Sequence, residues 1–331
     1  MRNSKLKKER KEEIYNKSII NWIAIIILIF FIFIFFYNKP ELFKSSNTET
    51  ILNNSLQKLL SIYKKDKNLN IENRIISDIF AKSYVVYDVY NDKIILSKNE
   101  NEILPLASLT KVITAQTALS LKSRDTLITI KSSKMRQDEK LDLGLKEDQK
   151  WKLGDLLKYG LIMSSNSSMD IIASSIYQNN IDFVNRMNDY MKSLGFSTFN
   201  FNSASGLDYQ SPSGEIIGGK GSAIEYAKFF IKAYKEIGDI LSYTIKNELE
   251  ILTKEKQRYF IKNTNRDVNL YNGLLASKTG LTDSAGGNLA VIFNGELNRP
   301  IVIVVLGSTE SKRFSDVKRL YDITKKILEQ K

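Results

Sequence analysis

The chain has 331 residues, 49 Lys+Arg against 37 Asp+Glu for a formal charge of +12, and neither histidine nor cysteine. Those two absences exclude a Ser-His-Asp triad, a Cys-His pair, disulfides and every imidazole or thiolate metal site. The length allows one large domain or two smaller ones. The lack of cysteine leaves the redox compartment undetermined, and carboxylate-only Mg or Ca sites are still open.

Residues 1–18 begin "MRNSKLKKERKEEIYNK", with seven Lys/Arg and three Glu. Ile19 to Tyr37, "IINWIAIIILIFFIFIFFY", follow as 19 positions without a charge. At about 1.5 Å of helical rise per residue such a run just crosses a hydrocarbon layer of about 30 Å, so it predicts a transmembrane anchor at 19–37. The exit, "FFYNKPELF", lacks the small-x-small pattern of a cleaved signal. The basic tail predicts a cytoplasmic N-terminus and export of everything after Tyr37. Residues 38–75 are rich in Asn, Lys and Ser and read as a linker or stalk.

From residue 76 the pattern is that of a folded domain, 76–331. "SYVVYDVYNDKIILSKN" is two β-rich runs around Asn91-Asp92, a hairpin signal, and a helix is expected from Ser108. Helical patterns follow in "WKLGDLLKYGLIM", "NSSMDIIASSIYQ" and "DFVNRMNDYMKSLG", the last stopped by Gly195. Ser222 and Glu225 predict a capping box ahead of "YAKFFIKAYKEIG". Strand character returns in "YNGLLASKTG", "GNLAVIFNG" and "RPIVIVVLG", and "RFSDVKRLYDITKKILEQ" closes the chain as an amphipathic helix. Strands at both ends with helices between predict an α+β fold: an antiparallel sheet flanked by helices, with a helical insertion subdomain. The tail takes +4 of the charge and leaves +8 for the rest. That suits an anionic wall polymer or a membrane surface, and equally an ordinary solvated basic face.

Chemistry without histidine needs another base. Ser108 and Lys111 in "PLASLTKVITAQTAL" are three apart, and on a helix they share a face; a lysine whose pKa is lowered can take the serine proton, and the helix start offers N–H groups to an oxyanion. SxxK recurs at Ser4, Ser55, Ser61 and Ser315, so by itself Ser108 reads as well as a helix cap. Two further patterns stand downstream: Ser164-Ser165-Asn166, an SxN also matched at Ser45 and Ser97, and Lys278-Thr279-Gly280, a KTG that occurs once. The order SxxK, SxN, KTG is shared by penicillin-binding proteins and class A β-lactamases.

With "YVVYDVYNDKIILSKNENEILPLASLTKVITA", "NSASGLD" and "SKTGLTDSAGGNLAV", these motifs make the chain resemble the serine-type D-alanyl-D-alanine carboxypeptidase family of low-molecular-mass penicillin-binding proteins, from about Ser83 to the last helix. The resemblance implies a β-lactamase/penicillin-binding-protein-like fold. It implies that Ser108 attacks the carbonyl of a terminal D-Ala-D-Ala peptide while Lys111 takes its proton. Ser164 would relay a proton to the departing amine, and Asn166 would hold Lys111 and the substrate amide. Lys278 and Thr279 would bind the substrate carboxylate, Gly280 would allow close approach, and the N–H groups of Ser108 and Leu281 would form the oxyanion hole. The implied partners are a peptidoglycan pentapeptide, β-lactams as covalent inhibitors, and the membrane. No cofactor, metal or nucleic acid is implied.

A class A β-lactamase would activate its deacylating water with a glutamate after the second motif, and no Glu occurs from Asp148 through Gly214. Asp182 and Asp189 lie there on an amphipathic helix pattern. The motifs do not separate a carboxypeptidase from a D,D-endopeptidase that cuts cross-bridges with the same residues, and a non-catalytic wall-binding module is a further alternative. Many carboxypeptidases of this family carry a β-rich C-terminal domain and an anchor there, whereas here the expected anchor is N-terminal. "GEIIGGKG", Gly214 to Gly221, nearly fits a phosphate loop but lacks Ser/Thr after the lysine and a strand before it, so it reads as a loop beside the site.

Overall fold

The computed structural model describes residues 78–329, apart from 136–140, 143, 178, 211–215 and 297, together with Asn54, Gln57 and Lys58, which are helical. The tail, the expected anchor at 19–37 and the rest of the 38–75 segment lie outside the described residues. Among the described residues no helix is long and apolar enough to cross a membrane.

A five-stranded sheet organises the domain. Its strands are β1 (Ser83–Asp88), β2 (Lys93–Lys98), β3 (Leu274–Thr282), β4 (Gly286–Glu296) and β5 (Arg299–Ser308), in the order β3-β4-β5-β1-β2 with every pairing antiparallel. The expected construction from both chain ends is what is seen. Alternate residues of "IVIVVL" point to opposite faces, and both faces are buried: Val302, Val304 and Leu306 join one core, Ile301, Ile303 and Val305 the other. The second core is covered by helix α6 (Lys312–Glu329) through Phe314, Val317, Leu320 and Tyr321.

The first core is covered by the insertion: α1 (Thr110–Leu121), α2 (Leu153–Ile162), α3 (Asn166–Ile176), α4 (Asn180–Ser193) and α5 (Ala223–Leu241). Helix α1 is buried from Thr110 through Ala118, polar residues included, as a helix enclosed by others must be. Gly195 ends α4 as expected, at φ +84° with its N–H on Lys192 O.

Three local expectations are corrected. Ser108 does not start or cap a helix: it sits in a 3₁₀ turn, Ala107–Leu109, and neither Leu106 nor Leu109 makes a side-chain cap. The chain arrives through Leu104–Pro105, paired with Lys220–Gly221, and turns at Ala107 with φ +49°, so α1 opens only at Thr110. The capping box is half formed. Glu225 N–H donates to Ser222 Oγ at 3.3 Å, but the Glu225 carboxylate accepts from Ser197 and Thr198, whose tertiary donors displace the local one. The KTG residues lie inside β3, which runs on to Thr282. A hairpin of Glu248–Leu252 and Arg258–Lys262, unassigned in the sequence, packs beside α2.

One side chain ties the turn to the sheet. Asn288 on β4 is fully buried, donates from Nδ2 to Pro105 O at 2.9 Å, and accepts Gly307 N–H at Oδ1 at 2.8 Å. Asn288→Ala leaves both backbone groups unpaired, and a buried unpaired group costs about 1–3 kcal/mol, so the expected loss of stability is about 2–4 kcal/mol in urea unfolding. A loss within error of zero would refute this.

Candidate active site

Ser108, Lys111, Ser164, Asn166, Lys278 and Thr279 converge where the 3₁₀ turn, the α2–α3 junction and β3 meet. Lys111 is buried one turn after Ser108, and its Nζ lies 2.7 Å from three oxygens: Ser108 Oγ, Asn166 Oδ1 and the Ser205 carbonyl. Nζ donates to all three, so each N–H of the ammonium has its own acceptor.

The SxN stretch links two helices. Ser165, not Ser164 or Asn166, caps α3 by accepting Ser168 N–H. Ser164 adopts φ +59°, a strained conformation for a residue with a side chain, and its Oγ accepts from Lys278 Nζ at 2.9 Å. Asn166 opens α3 and faces Lys111.

Strand β3 supplies the opposite wall. Lys278 donates also to Thr279 O at 2.8 Å, and Thr279 Oγ1 lies 2.6 Å from Thr264 Oγ1. Burial pushes the Lys278 ammonium well below the usual lysine range, and the positive charges of Lys111 and Arg313 push it further. Among the described residues Lys278 has no carboxylate partner. Gly280 is required by space: a Cβ there would stand 2.9 Å from Leu106 O and 3.3 Å from Ala107 Cβ. Leu281, the next residue, is exposed and registers with Gly287.

Four contributors were given no role by the sequence. The Ser205 carbonyl belongs to "NSASGLD", whose Gly206 adopts φ +74° against Ala107 O, so this loop and the turn that carries Ser108 are packed together. Asn288 has been described. Thr264 also anchors through its N–H on Ile162 O at 3.1 Å, spanning from α2 to β3. Arg313, buried on α6, donates to Gly280 O at 2.6 Å and shares with Thr264, Arg266 and Phe314 the wall of a cavity of ≈ 380 Å³. The glycine-rich decoy holds the turn: Gly219 O accepts Leu106 N–H at 2.6 Å, and a Cβ at Gly219 would meet Thr110 Oγ1. Asp182 and Asp189 are exposed on α4, away from these contacts.

Residues 69–310 match the model of the peptidase S11 family, D-alanyl-D-alanine carboxypeptidase. The chain belongs to this family. It is 27% identical over 248 residues to the D-alanyl-D-alanine carboxypeptidase DacF of Bacillus subtilis, covering 73% of this chain and 61% of that one. The alignment thus spans less than two thirds of that relative's length. A D-alanyl-D-alanine endopeptidase of Haemophilus influenzae is 26% identical over 237 residues, covering 70% of this chain and 77% of its own. Among solved structures, penicillin-binding protein D2 of Listeria monocytogenes in its ampicillin-bound form superposes with a TM-score of 0.64 at 25% identity, over 74% of this chain and 97% of that one. The chain therefore has the penicillin-binding-protein-like α+β fold that its S11 motifs imply.

The S11 site stores an electrostatic cost at Lys278. An unfolded chain keeps that proton up to about pH 10.5, whereas the folded chain releases it at lower pH, so stability rises with pH between the two values. Lys278→Met removes the buried charge and is expected to stabilise the fold by on the order of 1 kcal/mol at pH 7. The gain shrinks toward pH 10. A variant less stable than the parent at every pH, followed by thermal unfolding, would contradict this.

Proposed function

We propose that the protein is a membrane-anchored serine D-alanyl-D-alanine carboxypeptidase that trims peptidoglycan stem peptides through a Ser-Lys acyl-enzyme and is acylated by penicillins. The observation that carries this reading is Lys111 Nζ held 2.7 Å from Ser108 Oγ, with Asn166 Oδ1 and the Ser205 carbonyl as its two other acceptors, so that an amine that has lost a proton turns its lone pair to Ser108.

Ser108 Oγ attacks the carbonyl of the penultimate D-alanine while its proton passes to Lys111, and the oxyanion forms against the N–H groups of Ser108 and Leu281. The C–N bond breaks as the proton held by Lys111 is relayed through Ser164, which gives one proton to the amine of the departing D-alanine and regains one, leaving Lys111 neutral. Water then adds its oxygen to the ester carbonyl while Lys111 takes its proton, and the acyl C–O bond breaks as Lys111 returns that proton to Ser108 Oγ, so that Ser108, Lys111 and Ser164 are all restored. Among the described residues Lys278 has no carboxylate partner, and the substrate's terminal carboxylate supplies one there, with Thr279 donating beside it. Asn166 holds Lys111 and the substrate amide, and Gly280 lets the strand come close to the bound peptide. The burial of Lys278 is thus offset when substrate arrives.

Residues 19–37 are proposed to anchor the chain, with 1–18 in the cytoplasm and 38–75 as the stalk that carries domain 76–331 outside. Likeness to a relative named as an endopeptidase keeps one other reaction in view, cleavage of D-Ala cross-bridges by the same residues.

Incubation with a fluorescent penicillin is expected to label the protein covalently, and Ser108→Ala is expected to abolish the label. Label that survives this substitution rules out Ser108 as nucleophile. With purified peptidoglycan, mass spectrometry is expected to find free D-alanine; separated cross-linked dimers instead would assign the endopeptidase reaction. Labelling with neither product would leave a penicillin-binding wall module.

A further inference from the structure

The stretch after the second motif contains no glutamate, yet a carboxylate reaches that motif from before it in the chain. Asp142 accepts a hydrogen bond from Ser165 Oγ, the residue between Ser164 and Asn166, and Asp142 N–H donates to Ser167 Oγ at 3.2 Å. Every polar group of Ser165 is engaged. Its N–H donates to Gly160 O at 3.1 Å, its carbonyl accepts Ser168 Oγ at 3.1 Å, and its Oγ accepts Ser168 N–H at 3.0 Å while donating to Asp142.

This matters because Ser164 is strained. A non-glycine residue at φ +59° persists only where its surroundings over-determine it. The side chain of Ser164 is committed to Lys278, so the restraint must come from its neighbour, and Ser165 is buried and pinned on all sides. Asp142 is the ionisable member of that clamp, and a bond to a carboxylate is the stronger kind. Its charge also stands at the N-terminus of α3, where a negative group is favoured.

We infer that Asp142 is a positioning residue: by holding Ser165 it orients Ser164 toward Lys278 and Asn166 toward Lys111, and so governs the acylation step. Substrate capture is left to Lys278 and Thr279, which belong to β3 and are held independently. The inference rests on the Ser108 acylation reading.

The test is the acylation of the full chain by a fluorescent penicillin, separating the saturating rate from the half-saturating concentration. Asp142→Ala is expected to slow the saturating rate about tenfold or more, since small misplacements of reacting groups cost that much, with half-saturation moved less than about twofold. Asp142→Asn retains an acceptor for Ser165 and is expected to keep the rate within about threefold of the parent. Ser165→Ala is expected to lose about as much as Asp142→Ala, and the double variant no more than either, because both break one bond. Equal losses in Asp142→Asn and Asp142→Ala, additive losses, or a shift confined to half-saturation would overturn the assignment. If Asp142→Ala does not fold, the comparison of Asp142→Asn with Ser165→Ala decides alone: equal rates overturn it. An unlabelled parent chain would instead overturn the acylation reading itself.

Discussion

The buried amine of Lys111 is the point on which the rest of the structure depends. It is held by three oxygens from three segments that are distant in sequence: the 3₁₀ turn, the first residue of α3, and the loop at Ser205. A long, flexible side chain enclosed in a core loses its rotamer freedom and its water, and only a full set of partners offsets both losses. Helix α1 must therefore be enclosed on all sides, and the insertion helices exist to enclose it. Threonines along α1 extend the same logic, with Thr114 Oγ1 donating to Ala204 O one turn below Lys111.

The second constraint is close approach. Three backbones crowd the turn that carries Ser108, and each does so at a glycine: Gly280 from β3, Gly206 from the Ser205 loop and Gly219 just before the Lys220–Gly221 strand that pairs with Leu104–Pro105, against Ala107 at φ +49°. A methyl group at any of these glycines meets an atom of the turn or of Thr110 at 2.9 Å or less. The proposed nucleophile is thus set by backbone packing, and its precision comes from the sheet through Asn288.

Much of this was legible in the sequence, and unevenly so. Strongly patterned elements were readable because periodicity reports burial: "IVIVVL" as a strand, and α6 as a helix with one apolar face. The three motifs named the side chains that meet. What the sequence did not display were contacts made by backbone groups or by tertiary substitution. A carbonyl such as that of Ser205 carries no residue-type signature, and any residue could have supplied it. Glu225 has the local pattern of a capping box, but the N–H groups of Ser197 and Thr198 lie closer in the folded chain. The hairpin at Glu248–Lys262 alternates charged and apolar residues, a signal diluted by Phe260 and Leu252 on its exposed face.

The placement of acids is the last step in the logic. A carboxylate bonded to Lys278 would relieve the burden of its burial, but it would also occupy the position proposed for a substrate carboxylate. The carboxylate of Asp142 stops one residue short: it bonds to Ser165, which lies between Ser164 and Asn166. Charge at that distance can stiffen the second motif without neutralising the third. Among the described residues Lys278 thus keeps only neutral oxygens as partners, and the half-buried carboxylate of Asp142 bonds to the second motif instead.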